Sequence, residues 1–420
     1  MNWQAIRNLT HVQVGTFLAL LIVAFLPNYG IVKFGPSPMV PAMLLSLLGM
    51  WLLWRKRAAL FGRLAQRRWL VAFLLLFVPV ALSVPGSLGL RVSAGIAAFM
   101  VFFFFTGVAL IESLRADAER EWLIRWVAVV IAFWVADAYV QIVFDRDLFG
   151  IAINHADYRI VGPFAGNLRL SLFISLLLPM LLLRLIPRGW IVTFTAFALA
   201  GAVAMLSGSR AIIVFLAVIG AALVLRMPGG RRKWLLLGIL ASVATAAALI
   251  SPVLLQRLEL FGELRHPSFA SINHILSWRL WIWDAAMNMV ADHPFTGVGA
   301  GAFQAAYDRY STLPGDVFRG TYVYHAHQLY VGIAAETGLI GLAAFCALVA
   351  LALRWYWQAM PDRRQLAWPF ALGLLVYAFP LNSQPILLSQ WFFPVIVLLL
   401  AGMLAALDEP VAGAMPAKQV

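Results

Sequence analysis

The segment VSAGIAAFMVFFFFTGVALI, residues 92–111, decides the fold class of this chain because it carries no charged side chain. An α-helix rises about 1.5 Å per residue, so a segment of this length spans the roughly 30 Å hydrocarbon core of a bilayer. A helix that is apolar on all sides has no stable place on a water-exposed surface. We therefore interpret residues 92–111 as part of a transmembrane helix.

Comparable apolar segments recur along the chain, separated by clusters of Pro, Gly and charged residues. They predict an all-α, multi-pass membrane protein with about twelve transmembrane helices. The predicted spans are 11–33, 38–54, 69–88, 92–112, 122–144, 168–186, 189–206, 211–226, 233–251, 328–353, 367–384 and 388–407.

The composition supports this interpretation. Of the 420 residues, 63% are hydrophobic and 12% are charged, whereas soluble domains average about 45–50% and 25%. The single cysteine, Cys346, excludes an internal disulfide and a cysteine-rich metal site.

The net charge of +13 could indicate a nucleic-acid partner, but the basic residues follow the predicted topology. Of the 31 Lys and Arg residues, 20 fall on the side of the even-numbered connections and 11 on the other. Basic residues concentrate in cytoplasmic connections, so both termini are predicted to be cytoplasmic. We expect contacts with membrane lipids and no nucleic-acid partner.

The predicted helices divide the chain into four parts. Residues 1–251 hold transmembrane helices one to nine, residues 252–326 form a long non-cytoplasmic loop, residues 327–407 hold the last three helices, and residues 408–420 form a cytoplasmic tail. Loops of this length are commonly functional or disordered. Because the loop is rich in Trp and other order-promoting residues, we expect it to contain short helices folded on the membrane surface.

A first candidate site is the outer turn Ser207-Gly208-Ser209-Arg210, at the start of the eighth predicted helix. A helix N-terminus beside a guanidinium favours an anion of the size of a phosphate. The alternative is a helix cap followed by an arginine that reaches lipid headgroups.

A second candidate is Arg279 in residues 275–292, ILSWRLWIWDAAMNMVAD. If these residues form one helix, Arg279 shares an apolar face with Ile275 and Trp283, while Asp284, Asn288 and Asp292 form a polar stripe. An arginine on a buried face needs an anionic partner. Snorkelling of its charged end toward water is the alternative.

A third candidate is the pair His325 and His327, at the start of the tenth predicted helix. Histidine is suited to general acid or base work near neutral pH. A structural role and half of a metal site are the alternatives, although no acid has recognisable ligand spacing to the pair.

Two further features lie inside predicted helices. Asp137 and Glu336 are intramembrane carboxylates, which are functional candidates by default, although either could bond a neighbouring helix instead. Gly338 and Gly341 are predicted to permit close helix packing.

These segments resemble the O-antigen ligase family, within the wider group that includes O-antigen polymerases and protein O-oligosaccharyltransferases. The family pattern of His, then Asn, Ser or Gln, nine residues and Gly-x-x-Gly is similar to His327, Gln328, Gly338 and Gly341. The turn that ends in Arg210 looks like the family's Ser/Thr-Gly-Ser-Arg motif. Arg279, with HPFTGVGAGAF at 293–303, looks like its long-loop signature.

The resemblance implies transfer of an O-antigen glycan from an undecaprenyl diphosphate-linked donor to a lipid A core acceptor. It implies a multi-pass protein of the bacterial inner membrane with its active site facing the periplasm, in the lipopolysaccharide pathway, and no metal or other cofactor. Carried over by motif, His327 would be the catalytic base, and Arg210 and Arg279 would bind the diphosphate. Arg159 and Arg169 are further candidates for the same anion site, and His325 and Glu336 are further candidate site residues.

Two alternatives accompany this expectation. An O-antigen polymerase would use the same chemistry on two carrier-linked glycans. A transporter of lipid-linked glycans would bind the same ligand without reacting, but its site would be expected near the bilayer midplane between repeated halves. The candidate residues here cluster at one predicted membrane face, which favours an enzyme.

Overall fold

The structure is a computed structural model that describes residues 10–27, 37–153, 159–164, 169–207, 211–230, 233–234, 238, 268–382 and 387–408. Over these residues the chain is helical with irregular connections. An isolated bridge joins Arg146 to Ala152, and no strand occurs within the described ranges. The predicted all-α fold class is confirmed.

The described residues contain fourteen α-helices and two short 3₁₀ turns. The bundle helices are α1 (His11–Ala24), α2 (Met39–Phe61), α3 (Leu64–Ser83), α4 (Leu90–Ser113), α5 (Asp117–Phe144), α6 (Leu170–Leu185), α7 (Trp190–Leu206), α8 (Ala211–Arg226), α12 (Leu329–Gln358), α13 (Pro361–Tyr377) and α14 (Phe392–Ala406). Three shorter helices lie between α8 and α12: α9 (Phe269–Ile275), α10 (Arg279–Asp292) and α11 (Phe303–Tyr310).

In the described part of the chain, five helices are long and apolar enough to cross a membrane, namely α3, α4, α5, α6 with its continuation to Arg188, and α12. Four shorter apolar helices, α1, α7, α8 and α14, accompany them. A helix lies at each predicted span except 233–251, most of which lies outside the described residues. The chain is a multi-pass membrane protein, and the number twelve stays a prediction.

The centre of the bundle is formed by α6 and α14. Every residue of α14 is buried, as are most residues of α6. α6 packs against α5, α7 and α13, while α14 packs against α4 and α13. An apolar helix is stable here because other helices surround it.

Helices α2, α3 and α4 differ from this centre because they expose apolar side chains on their outer faces. Leu47, Val71 and Val101 are examples. Apolar surface repeated over several helices belongs in contact with lipid rather than water.

Helices α9, α10 and α11 form a layer over one end of the bundle, which we call the surface layer. It has a hydrophobic core of its own that includes Ile282, Met289, Phe303 and Tyr307. α10 packs against both α11 and α12. The layer is therefore a folded structure where it is described, from residue 268 onward.

The sequence prediction of one helix over residues 275–292 is wrong. α9 ends at Ile275, and Ser277 and Trp278 take φ angles of 57° and 64° before α10 begins at Arg279. Arg279 is therefore the first residue of its helix and does not share a helix face with Ile275.

The buried side chain of Asn273 stabilises this break. Its backbone carbonyl accepts a hydrogen bond from the Trp278 N–H at 2.7 Å, and its side-chain oxygen accepts one from the Leu280 N–H at 3.0 Å. Positive φ angles at two non-glycine residues cost free energy, and local hydrogen bonds of this kind offset part of it.

The end of the bundle that carries His327 is called the site face, and the other end the opposite face. On the opposite face, Arg120 is only 2% exposed. Its Nη1 donates to the carbonyl oxygens of Leu114 at 2.6 Å, Arg115 at 2.5 Å and Ala405 at 3.3 Å, and Nη2 pairs with Asp117. This guanidinium joins the α4–α5 connection to the end of α14.

Candidate functional site

His327 and Gln328 form the start of α12 on the site face. Gln328 is the N-cap residue, and its side-chain oxygen accepts a hydrogen bond from the Val331 N–H at 2.6 Å. This bond explains the Asn, Ser or Gln of the motif, because all three side chains can accept a hydrogen bond from a helix N-terminus. His327 precedes the cap with a φ of 51°. Few non-glycine residues adopt this conformation, and those that do concentrate at functional sites.

Further hydrogen bonds hold the start of α12 against the segment after α13. Gln328 Nε2 donates to the Pro380 carbonyl at 2.9 Å, and the Leu329 N–H donates to the Asn382 carbonyl at 3.1 Å. Asn382 is fully buried, and its side-chain amide donates to the Tyr377 carbonyl at 2.7 Å. The histidine segment is therefore anchored to the interior of the bundle.

The two imidazoles of this segment lie side by side but have different surroundings. The ring centroids of His325 and His327 are 4.1 Å apart. His325 lines a cleft of about 620 Å³ between α3 and α12, together with Gln328 and Glu336. The cleft lining also includes apolar side chains, among them Leu75, Leu76, Pro79, Val80, Ile333, Phe345, Leu387 and Leu388. His327 is not among the lining residues, so it lies beside the cleft rather than in it.

The indole of Trp283 connects α10 to the histidine segment. Its Nε1 donates to the carbonyl oxygen of Ala326, between the two histidines, at 3.0 Å. Arg279 lies four residues earlier on the same face of α10, about 6 Å away along the helix axis. The structure therefore brings the half-buried Arg279 close to the histidine segment. In the sequence, Arg279 precedes His325 by 46 residues and His327 by 48 (325 − 279 and 327 − 279).

The two glycine-rich motifs of the sequence form one contact. Gly338 interrupts α12 with a φ of 68° and a ψ of −172°. The loop after α10 docks at this interruption, where the Val298 N–H donates to the Ala335 carbonyl at 2.9 Å. A Cβ on Gly338 would lie 2.2 Å from the carbonyl carbon of Phe295, so the contact requires glycine.

Gly338 therefore does not act as a helix-packing residue, as the sequence had predicted. It interrupts α12, and the loop after α10 packs against this interruption. Gly341 does face another helix, because a Cβ there would lie 3.5 Å from Pro79 in α3.

Glu336 holds the surface layer on α12. Its carboxylate accepts hydrogen bonds from the backbone N–H groups of Gly301 and Phe303, at the start of α11. A helix N-terminus stabilises a carboxylate in this position. Glu336 also lines the cleft, but these hydrogen bonds give it a structural function.

Arg169 lies at the start of α6, with its guanidinium 4.6 Å from the ring centroid of Trp391. Trp391 follows Leu387 and Leu388, which line the cleft. Arg169 is therefore held near the edge of the cleft by a cation–π contact.

Arg159 precedes α6 in the chain and lies beside the end of α7. The N–H of the next residue, Ile160, donates to the Leu206 carbonyl at 3.4 Å, one residue before the Ser207 turn. The structure thus places Arg159 close to the start of the turn predicted to bind an anion. Arg210, at the end of that turn, lies outside the described residues.

The polar stripe of α10 is used within the surface layer. Asn288 Nδ2 donates to the Tyr310 carbonyl at 3.1 Å, and the Tyr310 hydroxyl donates to Asp292 at 2.6 Å. Burial, together with this bond to Asp292, raises the pKa of Tyr310.

The predicted intramembrane carboxylate Asp137 also has a structural partner. It accepts a hydrogen bond from the Leu148 N–H at 2.9 Å and so fixes the loop after α5.

Sequence reasoning missed Asn382, Trp391 and the hydrogen bond of Trp283 to Ala326. Each contacts a predicted residue or its backbone through tertiary structure, and no local pattern marks such a contact. A partial signal was available for Trp283, since residue 283 follows Arg279 at helical spacing. Within the described ranges, no group of three His, Cys, Asp or Glu side chains is placed to hold a metal ion.

The chain is a multi-pass membrane protein, with an apolar helical bundle and a folded surface layer. The candidate site lies at one membrane face, where the two histidines and Arg279 lie at the junction of bundle and layer. Residues 195–346 match the family model described as O-antigen ligase. No curated protein matches the sequence.

The matched region includes Arg210, Arg279 and both histidines, whereas Arg159 and Arg169 precede it. This match supports a glycan-processing function of the ligase or polymerase type, on lipid-linked glycans.

Proposed function

We propose that this protein is an inverting glycosyltransferase that moves an O-antigen glycan from undecaprenyl diphosphate to a sugar of the lipid A core. The observation that carries the proposal is the hydrogen bond from Trp283 to Ala326. It holds the helix of Arg279 against the histidine segment at the edge of an apolar cleft. A cation for a diphosphate, a base for a hydroxyl and an apolar surface for a lipid are what this transfer requires.

In the proposed reaction, the acceptor hydroxyl oxygen attacks the anomeric carbon from the face opposite to the diphosphate. The bond from this carbon to the diphosphate oxygen breaks, and its electron pair leaves with undecaprenyl diphosphate. His327, when neutral, takes the hydroxyl proton. Direct displacement inverts the anomeric configuration.

Arg279 and Arg210 are the proposed ligands of the diphosphate. Negative charge grows on the leaving group as the bond breaks, and a guanidinium can donate two parallel hydrogen bonds to it. The support for Arg279 is its place one turn from Trp283, and the support for Arg210 is its motif. Two guanidinium groups offer charge stabilisation without a metal ion, and metal-independent turnover stays a prediction.

His325 is proposed as a positioning residue for His327. Its ring lies against that of His327 and lines the cleft, so we expect it to restrict the orientation of the base. The Trp278 and Trp281 rings, stacked at 5.4 Å with an interplanar angle of 10°, are the proposed wall for the donor at the start of α10.

The proposed location is the bacterial inner membrane with the site face toward the periplasm. The support is the distribution of basic residues, since Arg63, Arg120 and Arg363 lie on the opposite face.

A transfer assay with purified protein in vesicles tests this function. With donor and lipid A core together, we expect glycan on the core sugar with inverted configuration. His327→Ala should lower the transfer rate by about 10²–10⁴-fold. His11→Ala, which changes a histidine at the start of α1 on the opposite face, should leave the rate unchanged. Elongation of a second carrier-linked glycan, with no transfer to lipid A core, would instead identify a polymerase.

A further inference from the structure

A crevice of about 610 Å³ opens on the opposite face between α8, α12 and α13. It is lined by Arg226, Tyr356, Trp357, Pro361, Arg364 and Gln365. Tyr356 lies 28 residues after Gln328 (356 − 328), which corresponds to about 40 Å along α12. The crevice is therefore separate from the site at His327.

Among the residues that the structure describes, the lining contains two guanidinium groups and no carboxylate. Arg226 lies 4.6 Å from the ring centroid of Trp368, and Arg364 lies 5.5 Å from that of Trp357. Within the described part of the chain, neither arginine forms an ion pair, and the buried Nε of Arg364 has no hydrogen-bond partner. By contrast, the neighbouring Arg363 pairs with Asp117 at 3.4 Å.

Because no described lining residue is a carboxylate, a ligand with negative charge could balance the two positive charges of Arg226 and Arg364. Two cations held on indole rings at fixed positions suit a phosphate group, because a guanidinium can donate two hydrogen bonds to its oxygens. The Tyr356 hydroxyl and the Gln365 amide add uncharged polar groups to the same lining.

The surroundings of the crevice are apolar. Leu225, next to Arg226, is 79% exposed, and Leu353, one turn before Trp357, is 43% exposed. These side chains face the bilayer and could contact acyl chains, which a soluble phosphate lacks. Trp and Tyr are also the side chains that concentrate at the membrane–water interface.

From these observations we propose that the crevice between α8, α12 and α13 binds the phosphate headgroup of an anionic phospholipid in the leaflet opposite to the His327 site. Basic pockets between transmembrane helices on the cytoplasmic side are suited to such headgroups. This proposal does not depend on the glycan-transfer function.

Native mass spectrometry of the detergent-purified full chain tests the proposal, with phosphatidylglycerol, phosphatidylcholine and inorganic phosphate each titrated separately. Wild-type protein should retain phosphatidylglycerol saturably and at lower concentration than phosphatidylcholine. Arg226→Gln with Arg364→Gln should lower the apparent affinity for phosphatidylglycerol on the order of tenfold or more, since each basic residue near the membrane surface contributes several-fold. Arg354→Gln, an exposed arginine on α12 outside the lining, is the matched control and should bind like wild type.

Equal retention of the two lipids by wild-type protein would overturn the proposal, and this result does not depend on whether the double variant folds. Saturable binding of inorganic phosphate without preference for phosphatidylglycerol would also overturn it, in favour of a soluble anion. If Arg354→Gln lowered the affinity for phosphatidylglycerol as much as the double variant, the binding would depend on general surface charge, and the proposed crevice would be contradicted.

Discussion

At the opposite face of the bundle, arginine side chains close the connections between helices, whereas at the site face backbone N–H groups and uncharged side chains donate the hydrogen bonds that do so. Arg63 pairs with Glu112, and Arg120 pairs with Asp117 while donating to three carbonyl groups. At the site face, His327 has a positive φ. The α12 break at Gly338 is held by backbone bonds to the loop after α10.

The difference suggests that the opposite face contributes mainly to stability and the site face mainly to activity. Charged side chains that satisfy buried carbonyls stabilise the bundle, while unusual backbone conformations fix the positions of a few candidate site residues. Substitutions at the opposite face should therefore change stability and leave activity per folded molecule intact. Substitutions at the site face should change activity.

The largest effect is expected at Gly338. In Gly338→Ala, the new Cβ would overlap the Phe295 carbonyl at 2.2 Å and the residue would keep a φ of 68°, so the loop after α10 cannot dock. We expect a loss of about 3–5 kcal/mol in stability and of at least about 100-fold in transfer rate. Thermal unfolding and the transfer assay measure both. Gly95→Ala is the control, since a Cβ there meets nothing within 4 Å; matching losses in the two variants would contradict the role of the contact.

A smaller effect, on stability alone, is expected at Arg120. In Arg120→Ala, three carbonyl oxygens lose their donor, which should cost about 2–4 kcal/mol. Arg125→Ala, with 57% of that side chain exposed, should stay within about 0.5 kcal/mol of wild type. Chemical denaturation in detergent measures the difference. If transfer per folded molecule fell in Arg120→Ala, the separation between the two faces would be lost.

Trp283→Phe sharpens the comparison at the site face. It keeps a smaller aromatic ring but removes the N–H donated to Ala326, and the lost hydrogen bond should cost about 1 kcal/mol in stability. Because the lost bond holds the Arg279 helix to the histidine segment, transfer should fall about tenfold. Trp126→Phe, a lipid-facing tryptophan on α5 with 44% exposure, is the matched control. Equal rates in these two variants would remove the proposed function of the hydrogen bond.

No effect is expected from metal removal. The proposed chemistry uses two guanidinium groups and an imidazole, so excess chelator should leave the transfer rate unchanged. Loss of activity that one divalent ion restores would show that the histidine pair binds a metal.

The helices were predictable from the sequence because apolar segments of spanning length leave few alternatives in a membrane protein. The motif residues His327 and Arg279 were also identified, although the helix assumed around Arg279 was wrong. Its break depends on Asn273, whose hydrogen bonds to Trp278 and Leu280 form only when the chain turns there.

The break at Gly338 was not predictable for a related reason. Glycine is common in transmembrane helices as a packing residue, and nothing local separates that use from a break. The conformation of Gly338 depends on the loop after α10, which docks against α12 through Val298. Val298 lies 40 residues before Gly338 in the sequence (338 − 298). Contacts of this kind belong to tertiary structure.

The division of labour between His327 and Arg279 is tested most directly by measuring donor affinity and transfer rate on the same variants. In His327→Ala, we expect the rate to fall by about 10²–10⁴-fold with donor affinity nearly unchanged, because a base contacts the acceptor hydroxyl. In Arg279→Lys, both donor affinity and rate should fall, because a point charge cannot replace the planar guanidinium. Near-normal transfer by His327→Ala, or unchanged donor affinity in Arg279→Lys, would contradict the proposed site.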